Sequence, residues 1–465
     1  MKYRITTANG GDNLWKHATL NSTGHSGGSV TGTTITPATD GTGAFIYRSA
    51  DGTGTFSITG AQLRWNYGAN SIADNATVDV QVFAIEMVYV PQGNFIVGTT
   101  GNENGVFTAA NDVSNPRTPF TITSTAPTLQ GNNSSSSSTR LSSSGSFGSF
   151  DLTGTTTASL ASGFPTGYAG FYCQKYEITQ QQYVDFLNTL TRAQQNSRTE
   201  TSLAEGTTSV TNRYVMSFSS TLKNRNGIRC DAVIHTSDPI TFYCDLDGDG
   251  TGGESNDGQW IAFNYLSWMD GAAYLDWSGL RPMTELEFEK ACRGTAAPLA
   301  NEYAWGNTTA IVAINITNPG AANETTSTSG ANAVFNNETN VQGPMRVGVF
   351  AKTSTTRAQS GASYYGIMEL SGNLWERTVT VGNATGRTFT GVHGNGTLNT
   401  NGHADVTTWP GLTGDGVTDA TGSGLRGGSF TNYSWDLRAS DRVNADNPDA
   451  GRFSDGGFRG VRLVP

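Results

Sequence analysis

The run Asp245-Leu-Asp-Gly-Asp-Gly places three carboxylates, Asp245, Asp247 and Asp249, at the first, third and fifth positions of a calcium-loop pattern. Gly250 stands where such loops turn sharply. Carboxylates on one tight turn repel each other unless a cation sits among them, so a calcium-binding loop is expected, completed by Glu254 or Asp257. It is not an EF-hand. Position 12 is Asn256, and residues 240–244 read as a strand rather than a helix. The plainer alternative is an exposed acidic turn. Cys173, Cys230, Cys244 and Cys292 match no zinc spacing, and the five histidines show no ligand-like spacing. Cys230 and Cys244 flank a short extended segment, so they form either a disulfide or a pair of buried thiols.

The second chemical feature lies at the C-terminus. Residues 429–462 contain no Lys, Glu, Gln or Met. They carry aromatic, amide, hydroxyl and Asp side chains in three clusters, which begin at Phe430, Val443 and Phe453. Large aromatic rings give contact area at low entropic cost, and Asn, Asp, Ser and Thr supply adaptable hydrogen bonds, the chemistry of antibody paratopes. The ligand-binding candidates are Phe430, Thr431, Asn432, Tyr433, Trp435, Asp436, Val443, Asn444, Asp446, Phe453, Ser454 and Asp455. Between the clusters, Arg438, Arg442, Arg459 and Arg462 are expected to pair with Asp441 and with backbone carbonyls, which would hold the loops rigid. A solvated turn region is the bland alternative. Three aromatic residues between Phe430 and Trp435 argue against it.

The elements that position these groups follow from composition and periodicity. The chain has 465 residues, 58 of them Gly, and only 14% are charged, which suits a loop-rich, β-leaning fold of more than one unit. A formal charge of −10 argues against a nucleic-acid partner. No apolar run is long enough to cross a bilayer, and the first residues lack the apolar core of a secretory signal. Residues 1–85 alternate with period two around Gly43–Arg48, Thr55–Thr59, Gln62–Asn66 and Val78–Phe83, which predicts a small β-sandwich. A second unit starts near Met87, with a Ser/Thr/Gly-rich surface insertion at 122–165. Three helices are predicted. One is capped by Thr179 with Gln182, one by Ser267 and ending at Gly279, and one by Thr284 with Glu287 and ending at Gly294.

Seven segments in order carry a resemblance: MVYVPQGNFIVG from Met87, FYCQKYEITQQQYVDFLN from Phe171, NYLSWMDGAAYLDWSGLRPMTELEFEKACRG from Asn264, YAWGN from Tyr303, YYGIMELSGNLWER from Tyr364, LRGGSF from Leu425 and GFRGVRLVP from Gly457. Together they resemble the formylglycine-generating-enzyme (sulfatase-modifying factor) family. The resemblance implies an α+β variant C-type lectin fold over residues 86–465, with a ligand-binding region at 425–465. Enzymes of that family hold copper on a cysteine pair just after the segment matching Arg426–Phe430. Here Thr431 and Asn432 stand in that stretch, so neither copper nor oxidase activity is expected. The histidine cluster of the related sulfoxide synthases is also missing. The family binds calcium around the segment matching Ser371–Glu376, which implicates Asn373 and Glu376; for its second calcium site only Asn332 is a candidate.

The C-terminal layout also resembles the variable proteins of diversity-generating retroelements, in which miscopied template adenines scatter Asn codons over many residues. Such codons never become Lys, Glu, Gln, Met or Trp. The first four are missing from the segment, whereas Trp435 departs from the pattern. The resemblance implies a non-catalytic display protein, extracellular or on a cell or virion surface, that binds a protein or glycan on another cell or particle. Two alternatives are an enzyme of unrecognised chemistry and a calcium-dependent lectin. For the lectin, Asn447-Pro-Asp is only a loose echo of the usual sugar-binding signatures.

Overall fold

The computed structural model describes residues 1–110, 117–131, 139–144, 148, 150–336 and 341–464. The organising sheet is antiparallel, in the order Arg281–Pro282, Gly460–Leu463, Phe171–Gln174, Met87–Val90. The C-terminal strand lies inside it, with Val461 opposite both Cys173 and Arg281, so the residues just before it are fixed to the core. In a second sheet Trp375–Val379 pairs antiparallel with Ser423–Arg426 and parallel with Gly456–Gly457. The segment between Arg426 and Gly456 is therefore a long excursion that leaves one edge of Trp375–Val379 and returns to the other.

The helices begin where their caps predict. Helix α1, Gln180–Leu187, has a complete capping box from Thr179 and Gln182 and buries Tyr183, Val184, Phe186 and Leu187. Helix α2, Arg192–Ser197, opens on the same device from Thr191 and Gln194. Helix α3, Trp268–Ser278, is capped by Ser267 and Asp270 and closes on Gly279 at φ 73°. Helix α4, Glu285–Arg293, is capped by Thr284 and Glu287, and all nine of its residues are buried. The rings of Tyr183 and Phe263 stack at 4.2 Å, and Phe186 meets Trp277 edge-on at 5.4 Å, joining α1 to α3. Gly271 in α3 has a specific purpose, because a Cβ there would overlap the ring of Phe458, which packs directly on the helix.

Two expectations need correction. In place of a full sandwich, residues 1–85 carry a three-stranded sheet (Lys16–His17, Lys2–Arg4, Asp79–Gln81) and one hairpin, Thr33–Pro37 with Ala44–Arg48. Residues 55–66 form no ladder: they pair through isolated bridges at Gln62 and Trp65 and through single bonds such as Ser29 N to Thr59 O at 2.8 Å. This unit docks through Phe45 on Tyr172 and Phe83 on Trp277. Nor is 122–165 a purely superficial insertion. Leu129–Gln130, Leu141–Ser143 and Thr157–Ala158 form a sheet with Phe107–Ala109, in which Leu129 and Leu141 are fully buried. Two of its buried serines are bonded: Ser143 Oγ donates to Gly105 O at 2.7 Å and Ser142 Oγ to Gly131 O at 3.4 Å. The run Ser134–Ser138 lies outside the described residues.

Candidate ligand-binding face and acidic loop

The C-terminal excursion starts from two glycines with positive φ, Gly427 at 88° and Gly428 at 67°. A Cβ on Gly428 would come within 2.6 Å of Leu437, so the chain can double back only without side chains here. Phe430 then turns inward. It is 1% exposed and packs in a cluster with Val334, Met345 and Leu374. Its place among the ligand-binding candidates is therefore corrected: it is an anchor. The chain gives no periodic pattern by which a ring in a loop can be told to point in or out.

Beyond it a short 3-10 turn, Ser434–Leu437, buries Leu437 and leaves Tyr433 and Trp435 in solvent, 52% and 48% exposed. Their rings stack on each other, centroids 4.6 Å apart and 30° between planes. Phe453 is 38% exposed. The polar candidates are largely engaged with one another. Thr431 Oγ1 donates to Asp455 Oδ2 at 2.6 Å, Ser429 Oγ to Asn432 Oδ1 at 2.6 Å, and Asn432 Nδ2 to Asp436 Oδ2 at 3.3 Å. Burial raises the Asp436 carboxyl above its ordinary range. Asp446 is exposed, whereas Val443, Asn444 and Ser454 are half-buried. Asn444 O accepts from Leu425 N at 2.8 Å, and Ser454 O accepts from Asn264 Nδ2 at 2.7 Å.

The frame behind these loops is made of arginines whose acid partners come from other elements. Arg442 donates to Glu285 at 2.7 Å, to Ser143 Oγ and to Gly105 O, and lies over the ring of Phe107. Arg426 reaches Glu289 and the carbonyls of Ala439 and Asp441. Arg459 pairs with Glu376, and Arg462 with Asp40. Arg377 donates to the carbonyls of Leu266, Asp449 and Gly451, fixing the loop that leads to Phe453. The expected pairing with Asp441 is replaced, because Asp441 instead accepts from the amides of Val443 and Asn104, and burial pushes it up to about 6. Sequence reasoning missed Glu285 and Glu289; their place on a wholly buried helix was the usable signal.

Asn373 and Glu376 act as internal braces. Asn373 Oδ1 accepts from Met345 N at 2.9 Å and its amide donates to Glu177, while Glu376 is tied to Arg459. These bonds use one oxygen of each side chain, and the buried Glu376 Oε2 has no hydrogen-bond partner. Burial raises Glu177, and pushes nearby Glu369 up to about 7. Cys173, Cys230, Cys244 and Cys292 are all free and buried. Burial pushes the Cys173 and Cys230 thiols up to about 12, so neither is poised as a nucleophile or a soft ligand.

The acidic loop gathers its carboxylates in two overlapping groups, and Asp245 and Asp249 do not share one. Carboxylate oxygens of Asp245, Asp247 and Asp257 lie within 4.8 Å of one another, and so do those of Asp247, Asp249 and Glu254, so these clusters can hold a metal ion. Asp245 is buried and ion-paired with Arg229, and accepts from the amides of Gly248 and Gly250 at 2.8 and 3.1 Å.

No curated protein matches the chain. Among solved structures, Treponema denticola variable protein 1 aligns at 14% identity over 83% of this chain and 98% of that one, with a TM-score of 0.30. The Major Tropism Determinant M1 Variant aligns at 16% identity over 100% of both chains, with a TM-score of 0.24. The model of the sulfatase-modifying factor enzyme 1-like domain matches residues 146–464. That span includes helices α1 to α4, the sheet around Trp375–Val379, three of the four strands of the sheet around Gly460–Leu463, and the whole C-terminal excursion, so the chain belongs to the sulfatase-modifying factor enzyme 1-like family, with its α+β fold.

Proposed function

We propose that this protein is a non-catalytic display scaffold whose C-terminal face captures a protein or glycan on another cell or particle. The observation that carries the reading is the stacked, half-exposed pair Tyr433 and Trp435 on a frame of buried arginines. A protein that leaves two large rings in water, already ordered against each other, has pre-organised the groups that most often dominate binding. Phe453 and Asp446 extend the face. The family's copper chemistry has no thiolate here to support it. The reading includes a structural calcium ion at the acidic loop, a surface or virion location, and diversification of the face by a retroelement.

The test is capture by the immobilised full-length chain on a glycan array and on a panel of purified surface proteins. Replacing Tyr433 and Trp435 together by Ala is expected to weaken the tightest interaction by at least about 30-fold, the scale of one hot-spot residue. Unchanged capture by that variant would refute the face. The retroelement part is tested by the genomic neighbourhood, which should hold a reverse transcriptase gene and an adenine-rich near-copy of the 3′ end.

A further inference from the structure

The acidic loop has a more definite chemistry than its sequence spacing suggests. Five carboxylates, Asp245, Asp247, Asp249, Glu254 and Asp257, converge there. Among the described residues only Asp245 has an ion-pair partner, Arg229. That pair, with the amides of Gly248 and Gly250, commits Asp245 to holding the turn rather than to an open ligand position. Two of the carboxylates' solvent-shielded oxygens, Asp257 Oδ1 and Glu254 Oε2, have no hydrogen-bond partner. Asp257 is 0% exposed, and its other oxygen accepts from Glu254 N at 2.6 Å. A buried carboxylate oxygen with no donor costs free energy that the fold does not recover, unless something absent from the polypeptide binds it.

We propose that residues 245–258 form a calcium site in which Asp257 supplies the buried ligand, Asp247 bridges it to Glu254, and Glu254 and Asp249 close the solvent side. This rests on the structural-calcium part of the function proposed above, and it replaces the simple one-three-five ligand order of the sequence with a set drawn from both ends of the loop. Hard carboxylate oxygens on a glycine-rich, adjustable loop suit calcium better than magnesium, which demands a tighter octahedron. Gly248, Gly250 and Gly253 all have positive φ, which lets the chain curl around the centre. Carboxylates beside it, Asp249 first, raise Glu254 above the ordinary range, the direction expected of anions gathered for a cation. The loop's far end is tied down, since Gly258 N donates to Gly320 O at 3.1 Å, and a Cβ on Gly320 would overlap the carbonyl of Asn256. A bound ion would join that end to the strand Tyr243–Cys244.

Tyr243 provides the readout. Its ring lies against Gly252, 2.6 Å from where a Cβ would stand, and so beside the proposed ion. Terbium(III) added to the full-length chain is expected to show saturable luminescence on tyrosine excitation, displaced by calcium. Asp257→Asn, and separately Glu254→Gln, are expected to raise the terbium midpoint at least about tenfold, with unchanged far-UV circular dichroism. Asp245→Asn disturbs the turn and serves as the folding comparison. The Tyr433/Trp435 double variant is expected to bind terbium normally, so failure of the face and failure of the ion site read out separately. Absence of saturable luminescence, or a signal indifferent to Asp257→Asn and Glu254→Gln, would overturn the site.

Discussion

The division of the C-terminal segment into anchors and face makes a quantitative demand on two aromatic residues only five positions apart. Phe430 is 1% exposed within a cluster that includes Val334, Leu374 and Met345. Truncation to Ala removes its transfer free energy and opens a cavity, a loss of about 3–5 kcal/mol. Trp435 is 48% exposed, and its ring contact is the stack on Tyr433. Truncating it forfeits that stack and some half-buried area, about 0.5–1.5 kcal/mol. The two variants should therefore differ by about 1.5–4.5 kcal/mol although both delete a large ring. The assay is urea unfolding followed by circular dichroism, since the second variant removes a tryptophan and would confound fluorescence. The midpoint of the first transition should fall far more for Phe430→Ala than for Trp435→Ala, with similar slopes. Equal losses, or a larger loss for Trp435→Ala, would refute the assignment of frame and face.

Three further outcomes follow from the frame. Arg442→Ala strands the buried Glu285 with Arg426 as its remaining guanidinium at 3.6 Å, so a loss of about 3–5 kcal/mol is expected. Amide exchange should rise across 443–447 in that variant if Arg442 is what holds the loop. Glu369 gives a pH signature. Burial raises its folded carboxyl from 4.5 to about 7, so its contribution is full below about pH 4.5 and is lost as pH rises through about 7. In calcium-free buffer Glu369→Gln should gain thermal stability over the wild type across that window, and a constant difference would exclude Glu369 as the source. Finally, the four buried thiols should not react with a disulfide reagent at pH 8 until denaturant is added, and then all four should titrate. A Cys230–Cys244 bridge would leave two.

Much of the fold was legible because it rests on local signals. Thr179, Ser267 and Thr284 announce their helices by capping chemistry that depends only on residues three apart. The same signature at Thr191 is less telling, because its six-residue helix has no apolar stripe to accompany it. Long-range facts were illegible. Glu285 and Glu287 read as ordinary first-turn acids of α4, yet Glu285 meets Arg442 across 157 positions. Within the candidate face, composition identified aromatic and amide residues but not their directions. Phe430 and Tyr433 differ in burial for a reason that lies in Gly427, Gly428 and Leu437, which set the path of the chain. In the acidic loop the spacing named carboxylates that do gather, and only the position of Arg229 shows that Asp245 is already spoken for.

The arginines explain how an irregular segment can be both buried and open to choice at its surface. From Arg426 to Gly456 the chain makes no sheet ladder and only one 3-10 turn, so its carbonyls need donors from elsewhere. A guanidinium offers five donors in a planar fork, enough to serve several carbonyls and an acid at once, which a lysine cannot do. Arg377 binds three carbonyls, Arg426 reaches the carbonyls of Ala439 and Asp441, and Arg452 reaches those of Ser197 and Thr199 while pairing with Asp270. Backbone satisfaction is thereby assigned to side chains that point inward. Tyr433, Trp435, Asp446 and Phe453 are relieved of it, since their side chains hold no part of the loop's path. Side chains so placed can be exchanged for others with little cost to the fold, and this is the physical condition that a face chosen for its partner must meet.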